Sequence, residues 1–267
     1  MSGKLREILL RLRAEQNRFF GALLFMTRLP VDKLHQYHPD QLRHSASYFP
    51  LVGALVGLVG GAVACGLSFG FGPGIAALLA MLAMVLITGG LHEDGLADAA
   101  DGLLGGTLPA RRLEIMKDSR LGTYGALALW FSLTAKWLLL SGLLAKGGWS
   151  TVGAMVAANA LGRGSSVYLL FSCRYVSGDG SKSQMFGGRV SGAMLVQALS
   201  LPVVISFTCL PFRAVPVLLL AAGVTWAAKG YFERKIGGVT GDCLGACNQW
   251  VELVCYLALV PQLSNIQ

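Results

Sequence analysis

Long apolar stretches alternate with short polar ones along this chain, and the first long stretch is the clearest. From Phe49 to Leu91 there is no Asp, Glu, Lys or Arg. A helix crosses the hydrocarbon core of a bilayer in about 20 residues, so a run of that length predicts two spans. Turn chemistry at Phe69-Gly70-Phe71-Gly72-Pro73-Gly74 marks the break between them. Further spans are expected over 121–145, 150–173, 190–211, 214–230 and 239–260. The stretch 5–29 differs, because Arg6, Arg11, Arg13 and Arg18 alternate with Leu, Ile and Phe, as in a helix lying in the membrane interface. Its charges run too far inward for a cleavable signal peptide, and no small-residue cleavage site follows an apolar core. The expected fold class is all-α: one polytopic integral membrane helix bundle over 1–267. It has about seven transmembrane helices and an N-terminal interfacial helix.

Composition agrees with this pattern. The 267 residues are 54% hydrophobic and 13% charged, about half the charged fraction of soluble domains. Disorder, collagen and a disulfide scaffold are excluded on the same grounds. The net charge of +8 does not point to nucleic acid, since the cations are not gathered into a patch with aromatic partners. They fall between apolar segments instead, and the expected partner is the lipid bilayer. With the N-terminus inside, 18 of the 22 Lys and Arg lie on the cytoplasmic side, including Arg174, Lys182 and Arg189. Lys146 and Arg213 lie outside, and Lys136 and Arg163 fall within spans. This asymmetry predicts a multi-pass protein of the bacterial cytoplasmic membrane, and seven spans would leave the C-terminus outside. None of the 14 acids falls in an outside loop, so their chemistry is expected to face the cytoplasm.

Three polar segments carry that chemistry. The first, LHEDGLADAADG at 91–102, holds four acids in nine residues. On a helix Asp94, Asp98 and Asp101 form one stripe along roughly 10 Å of axis. Like charges so placed repel, and a cation would neutralise them; hard oxygen ligands without cysteine suggest Mg²⁺. Glu93 projects away from the stripe, and His92 reads as a hydrogen-bonding neighbour. A solvated polar loop is the bland alternative. The second, EIMKDSRLGTYG at 114–125, offers Lys117 and Arg120 to phosphate oxygens, with Asp118 to orient them or bind metal. Gly122 and Gly125 permit close approach of backbone to a ligand. The third, GGVTGDCLGA at 237–246, places Thr240 and Asp242 at the opening of the last span, with Glu252 about 15 Å deeper. Acids and bases inside a bilayer are candidates for function, which brings in Arg163, Lys136 and Glu252; mutual pairing to hold helices together is the alternative. Cys243 and Cys247 stand one turn apart without zinc spacing, and neither a P-loop nor a serine nucleophile elbow is present.

In this order, and between apolar spans, the three segments resemble the cobalamin synthase family, as do TRLP at 27–30 and SYFPLVG at 47–53. The resemblance runs from about residue 20 to 255. One position departs from the pattern: Gln249 stands where the family's last motif has the first of two acids, leaving only Glu252. The resemblance implies a Mg²⁺-dependent phosphotransferase that joins adenosylcobinamide-GDP to α-ribazole, or its 5′-phosphate, and releases GMP. It implies metal on Asp94, Asp98 and Asp101, catalysis by these with Asp242, and substrate binding by Lys117, Asp118, Arg120, Gly122, Arg163 and Thr240. Two alternatives come from other classes. A CDP-alcohol phosphotransferase would need Ala-Arg soon after its Asp-Gly pair, and Asp101-Gly102 is followed by Leu-Leu-Gly-Gly. A cation-coupled transporter would place acids near mid-membrane in two similar halves.

Overall fold

The structure is a computed structural model, and it describes residues 3–36, 41–176 and 190–260. The expected cytoplasmic cations Lys182 and Arg189 lie outside the described residues. Helices follow one another as α1 (Gly3–Met26), α2 (Gln41–Ser45), α3 (Phe49–Leu67), α4 (Pro73–Thr88), α5 (Leu91–Gly105) and α6 (Pro109–Met116). Then come α7 (Thr123–Leu144), α8 (Gly148–Ser172), α9 (Gly192–Cys209), α10 (Ala214–Ile236) and α11 (Gly241–Leu259). Among the described residues the only extended pairing is an isolated parallel bridge between Tyr175 and Val239. The all-α membrane fold is therefore as expected.

The count of seven spans is not confirmed. Four segments are each long and apolar enough to cross a membrane: Arg43–Leu67, Thr123–Leu144, Gly192–Cys209 and Ala214–Ile236. A fifth is obtained only if α4 and α5, bent by 87° at their junction, count as one broken span. Helices α8 and α11 are long enough but not apolar enough, because their buried faces carry Asn159, Arg163, Asn248, Gln249 and Glu252. These two helices are the inner pair of the bundle, shielded from lipid by their neighbours.

Small residues set how closely the helices pack. In a bilayer, association depends on van der Waals contact and interhelical hydrogen bonds rather than on escape from water. Gly53, Gly57 and Gly61 recur every fourth residue on α3 and face α8. A Cβ added at Gly61 would lie 2.8 Å from the Val152 Cα, so the two backbones touch.

The contacts define two ends. At one, Gly148 packs on Cys65, Gly153 on Cys209, and Arg213 reaches the Ala258 carbonyl at 3.3 Å. Phe69, Trp149 and Phe212 project there, 86%, 82% and 95% exposed, as an aromatic belt would. At the other end α5 crosses α11, and Arg112 donates to the Lys235 carbonyl at 2.8 Å. The motif acids and most of the described cations gather at this second end. Helix α1 is exposed over Ile8–Leu12 and buries only its last turns, through Ala22, Leu23 and Met26.

Candidate active site

Helix α4 stops at Thr88 because Gly89 and Gly90 both take left-handed backbone, with φ of 67° and 71°. An L side chain there costs about 1–2 kcal/mol per residue. This double turn swings α5 across the end of the bundle and leaves Arg28, from the TRLP segment, packed against Gly89. The Arg28 amide also donates to the Ile87 carbonyl at 2.7 Å.

Helix α5 meets α11 at Gly95 and Gly245. A Cβ on Gly95 would lie 3.2 Å from both the Cα and the carbonyl oxygen of Asp242 and 3.3 Å from the Gly245 Cα. Larger residues would hold the helices apart. Asp94 is the neighbour of Gly95 and Asp98 follows three residues on, so the crossing brings the acidic stripe of α5 up to the first turn of α11, where Asp242 sits. Asp94 is exposed; Asp98 and Asp242 are half-buried. Thr240 caps α11, its hydroxyl accepting from the Cys243 amide at 3.3 Å and donating to Asp242 Oδ2 at 3.3 Å.

Asp101 goes elsewhere. It is 8% exposed, its Oδ2 accepts from the Gly122 amide and its Oδ1 from the Gly125 amide, each at 2.8 Å. The carboxylate sits at the start of α7, where unpaired amides and the helix dipole favour an anion. The close approach foreseen at Gly122 and Gly125 is thus an approach to Asp101. The three stripe aspartates do not converge, and among the described residues no three His, Cys, Asp or Glu side chains are grouped to hold a metal ion.

Lys117, Asp118 and Arg120 lie on the loop between α6 and α7. Arg120 forks onto Asp118, with Nη2 to Oδ2 at 2.6 Å and Nε to Oδ1 at 3.0 Å. This pairing lowers the Asp118 carboxyl to about 2. Lys117 and Arg120 are exposed, so the loop presents cations beside α5. In this conformation Arg120 serves its own neighbour.

Arg163 is not at the surface. With Lys136 it encloses Glu252: Lys136 Nζ donates to Glu252 Oε2 at 2.8 Å, and Arg163 donates to Glu252 Oε1. All three are at most 3% exposed. Arg163 also donates to Asn159 Oδ1 at 2.7 Å, and the Asn159 amide reaches the Tyr256 hydroxyl at 3.2 Å. Gln249 accepts from Lys136 at 2.7 Å and donates to Glu93 at 3.0 Å, so its amide links the cluster to α5. Arg163 Nε and Glu93 Oε2 have no hydrogen-bond partner among the described residues, and both residues border a cavity of about 10 Å³. That is room for one water. The pairing alternative for these charges describes this arrangement, which joins α5, α7, α8 and α11.

Two residues near the site had no role in the sequence reading. Tyr175 is held by the Val176 amide to the Val239 carbonyl at 2.8 Å and the Val239 amide to the Arg174 carbonyl at 2.9 Å. Its hydroxyl lies 3.5 Å from where a Gly241 Cβ would stand. Burial and the Asp242 carboxylate push the phenol up to about 12, so it remains protonated. No local pattern signals Tyr175, because the pairing that places it spans more than sixty residues. Arg28 did have a signal, the TRLP segment, but nothing in sequence tied it to the turn between α4 and α5.

Fold and site together define an all-helical membrane protein whose polar motifs converge at one end of an apolar bundle. The family model described as CobS, cobalamin-5-phosphate synthase, matches residues 18–260, and the chain belongs to that family. It is 41% identical over 249 residues to an adenosylcobinamide-GDP ribazoletransferase of Shewanella piezotolerans, covering 93% of this chain and 96% of the relative. Identity is 42% over 248 residues to a protein of the same name from Shewanella halifaxensis, covering 91% and 95%. A Klebsiella pneumoniae relative of that name is 41% identical over 244 residues, covering 91% and 98%. No solved structure matches the chain.

Proposed function

We propose that this protein is an adenosylcobinamide-GDP ribazoletransferase of the bacterial cytoplasmic membrane, with its site facing the cytoplasm. A ribose hydroxyl of α-ribazole, or of its 5′-phosphate, attacks the phosphorus attached to cobinamide. The new P–O bond forms as the bond to the bridging pyrophosphate oxygen breaks, GMP departs, and the hydroxyl proton passes to a carboxylate of the site. The supporting observation is the Gly95–Gly245 crossing, which brings the helix that carries Asp94 and Asp98 against the first turn of α11, to which Asp242 belongs. Phosphoryl transfer asks a protein chiefly for positioned charge around an in-line displacement.

Mg²⁺ fits this donor set. It ordinarily takes one or two carboxylates and completes its shell with water and phosphate oxygens, so it needs no closed protein cage. Asp94 and Asp98 are hard oxygen donors on one face of α5 that would hold it, and the nearby Cys243 thiol is buried against Thr240 at 3.5 Å. When bound, the ion would supply fixed positive charge on the pyrophosphate oxygens. Lys117 and Arg120 offset charge building on GMP. Asp101 acts indirectly, by locking α5 to the start of α7, so that the loop carrying those cations stays beside the acids.

The test is to incubate purified protein with GDP-activated corrinoid, α-ribazole and Mg²⁺ and follow GMP, with and without chelator. GMP release should require both substrates, stop with chelator and return with Mg²⁺. A folded protein that releases no GMP overturns the transferase reading. Release undiminished by chelator overturns only the metal.

A further inference from the structure

On the side of α5 turned away from its aspartates lies a groove of about 670 Å³, walled by α5, α7, α10 and α11. Leu96, Leu103, Ala227 and Leu253 line it, and of its thirteen lining residues only Tyr231 and Trp250 carry a polar side-chain atom. Such a wall cannot satisfy an amide-rimmed corrinoid or a nucleotide, whose polar groups would be buried without partners. It suits a hydrocarbon chain.

The mouth has the opposite character. Tyr231, part of the wall, carries Lys235 Nζ over its ring at 5.6 Å from the centroid. Arg112 of α6 is tied to the backbone of the same residue, donating to the Lys235 carbonyl at 2.8 Å and to the Gly106 carbonyl at 2.9 Å. Two nearby cations have acidic partners: Arg111 pairs with Glu114 at 2.7 Å and Lys229 with Glu233 at 3.1 Å. Lys235 and Arg112 form no ion pair with a carboxylate among the described residues. Lys235 thus stands over Tyr231 in the wall of a hydrocarbon-lined groove, with Arg112 bonded to its backbone, and neither has an acidic partner among the described residues. That complementarity matches a single amphiphile with an anionic phosphate at one end and a long apolar tail.

We propose that this groove is a binding site for one anionic phospholipid, its acyl chain between α5, α10 and α11 and its phosphate on Lys235 and Arg112. The lipid would brace the apolar side of the helix whose other side carries the acids. The site is independent of the transferase reading, because occupancy is measured without turnover.

The experiment equilibrates the full chain with vesicles of equal phosphatidylglycerol and phosphatidylcholine, extracts it gently, and weighs the intact protein by native mass spectrometry. Wild type should retain one phosphatidylglycerol in preference to phosphatidylcholine. Lys235→Gln should reduce that preference about five-fold, the effect of one basic residue near an anionic surface. Ala227→Trp fills the groove and should abolish retention; Val224→Phe, a smaller intrusion, serves the same purpose should the tryptophan variant fail to fold. Equal retention of the two lipids, or retention unchanged in the folded groove variants, overturns the proposal. So does a dimer mass without lipid, or displacement of the lipid by the GDP-activated corrinoid.

Discussion

Glu252→Gln is the sharpest perturbation of the buried charge cluster. The substitution keeps the shape of the side chain and one acceptor oxygen but removes the negative charge between Lys136 and Arg163. Both cations are 3% exposed, and Lys136 stands 2.8 Å from the carboxylate, so no solvent replaces the lost charge. Removing one partner of such a pair costs about 3–5 kcal/mol. The lower end applies here, since Gln249 and Asn159 still accept hydrogen bonds from Lys136 and Arg163. Adding Lys136→Met leaves Arg163 with Glu93 as the remaining charges and should recover at least about 1 kcal/mol, within the usual range for coupled neighbours. Reversible unfolding in mixed micelles, titrated with a denaturing detergent, measures both values. A single variant within about 1 kcal/mol of wild type, against the magnitude above, refutes the ion-pair account. A double variant no more stable than the single one refutes the charge balance.

Three further outcomes are expected. Asp98→Asn should abolish GMP release while leaving unfolding and membrane insertion unchanged; near-normal turnover removes Asp98 from the site. Asp101→Asn should instead destabilise the protein by about 1.5–3 kcal/mol, because an amide cannot accept from both Gly122 and Gly125 and a charge-assisted bond is lost; unaltered stability with altered metal dependence would make Asp101 a ligand. The Asp118 carboxyl, held at about 2, lies below its usual value. Its pairing with Arg120 is therefore complete above the unfolded value near 4, and its contribution is lost as pH falls through about 2. A chemical-shift titration of that carboxyl with a midpoint near 4 contradicts the fork.

Helix positions were legible wherever an apolar run ended in turn residues, as at Phe69–Gly74 and around Gly147. The 87° turn at Gly89–Gly90 was not, since the apolar run continues to Leu91 across it. The same limit applies to the stripe of Asp94, Asp98 and Asp101. Their spacing places them on one face of α5, but Asp101 has the start of α7 within reach and the other two do not. A periodic pattern reports which side of a helix a residue occupies, not what stands opposite. For Arg163, pairing and substrate binding were both open in sequence, and the pairing depends on Glu252 of α11, a contact that spacing does not report. Tyr175 was invisible because a long-range backbone bridge positions it. The resemblance carried by the three motifs did identify the family, since it depends on their order and content rather than on their contacts.

Without the two left-handed glycines, residues 73–105 would continue as one rod of about 50 Å, well beyond the roughly 30 Å thickness of a bilayer's hydrocarbon core. The surplus would stand out into water as an isolated post. Folded over instead, it becomes a ledge along the rim of the bundle. Molecules with a greasy portion and a charged portion can then approach sideways, each part staying in the medium it prefers.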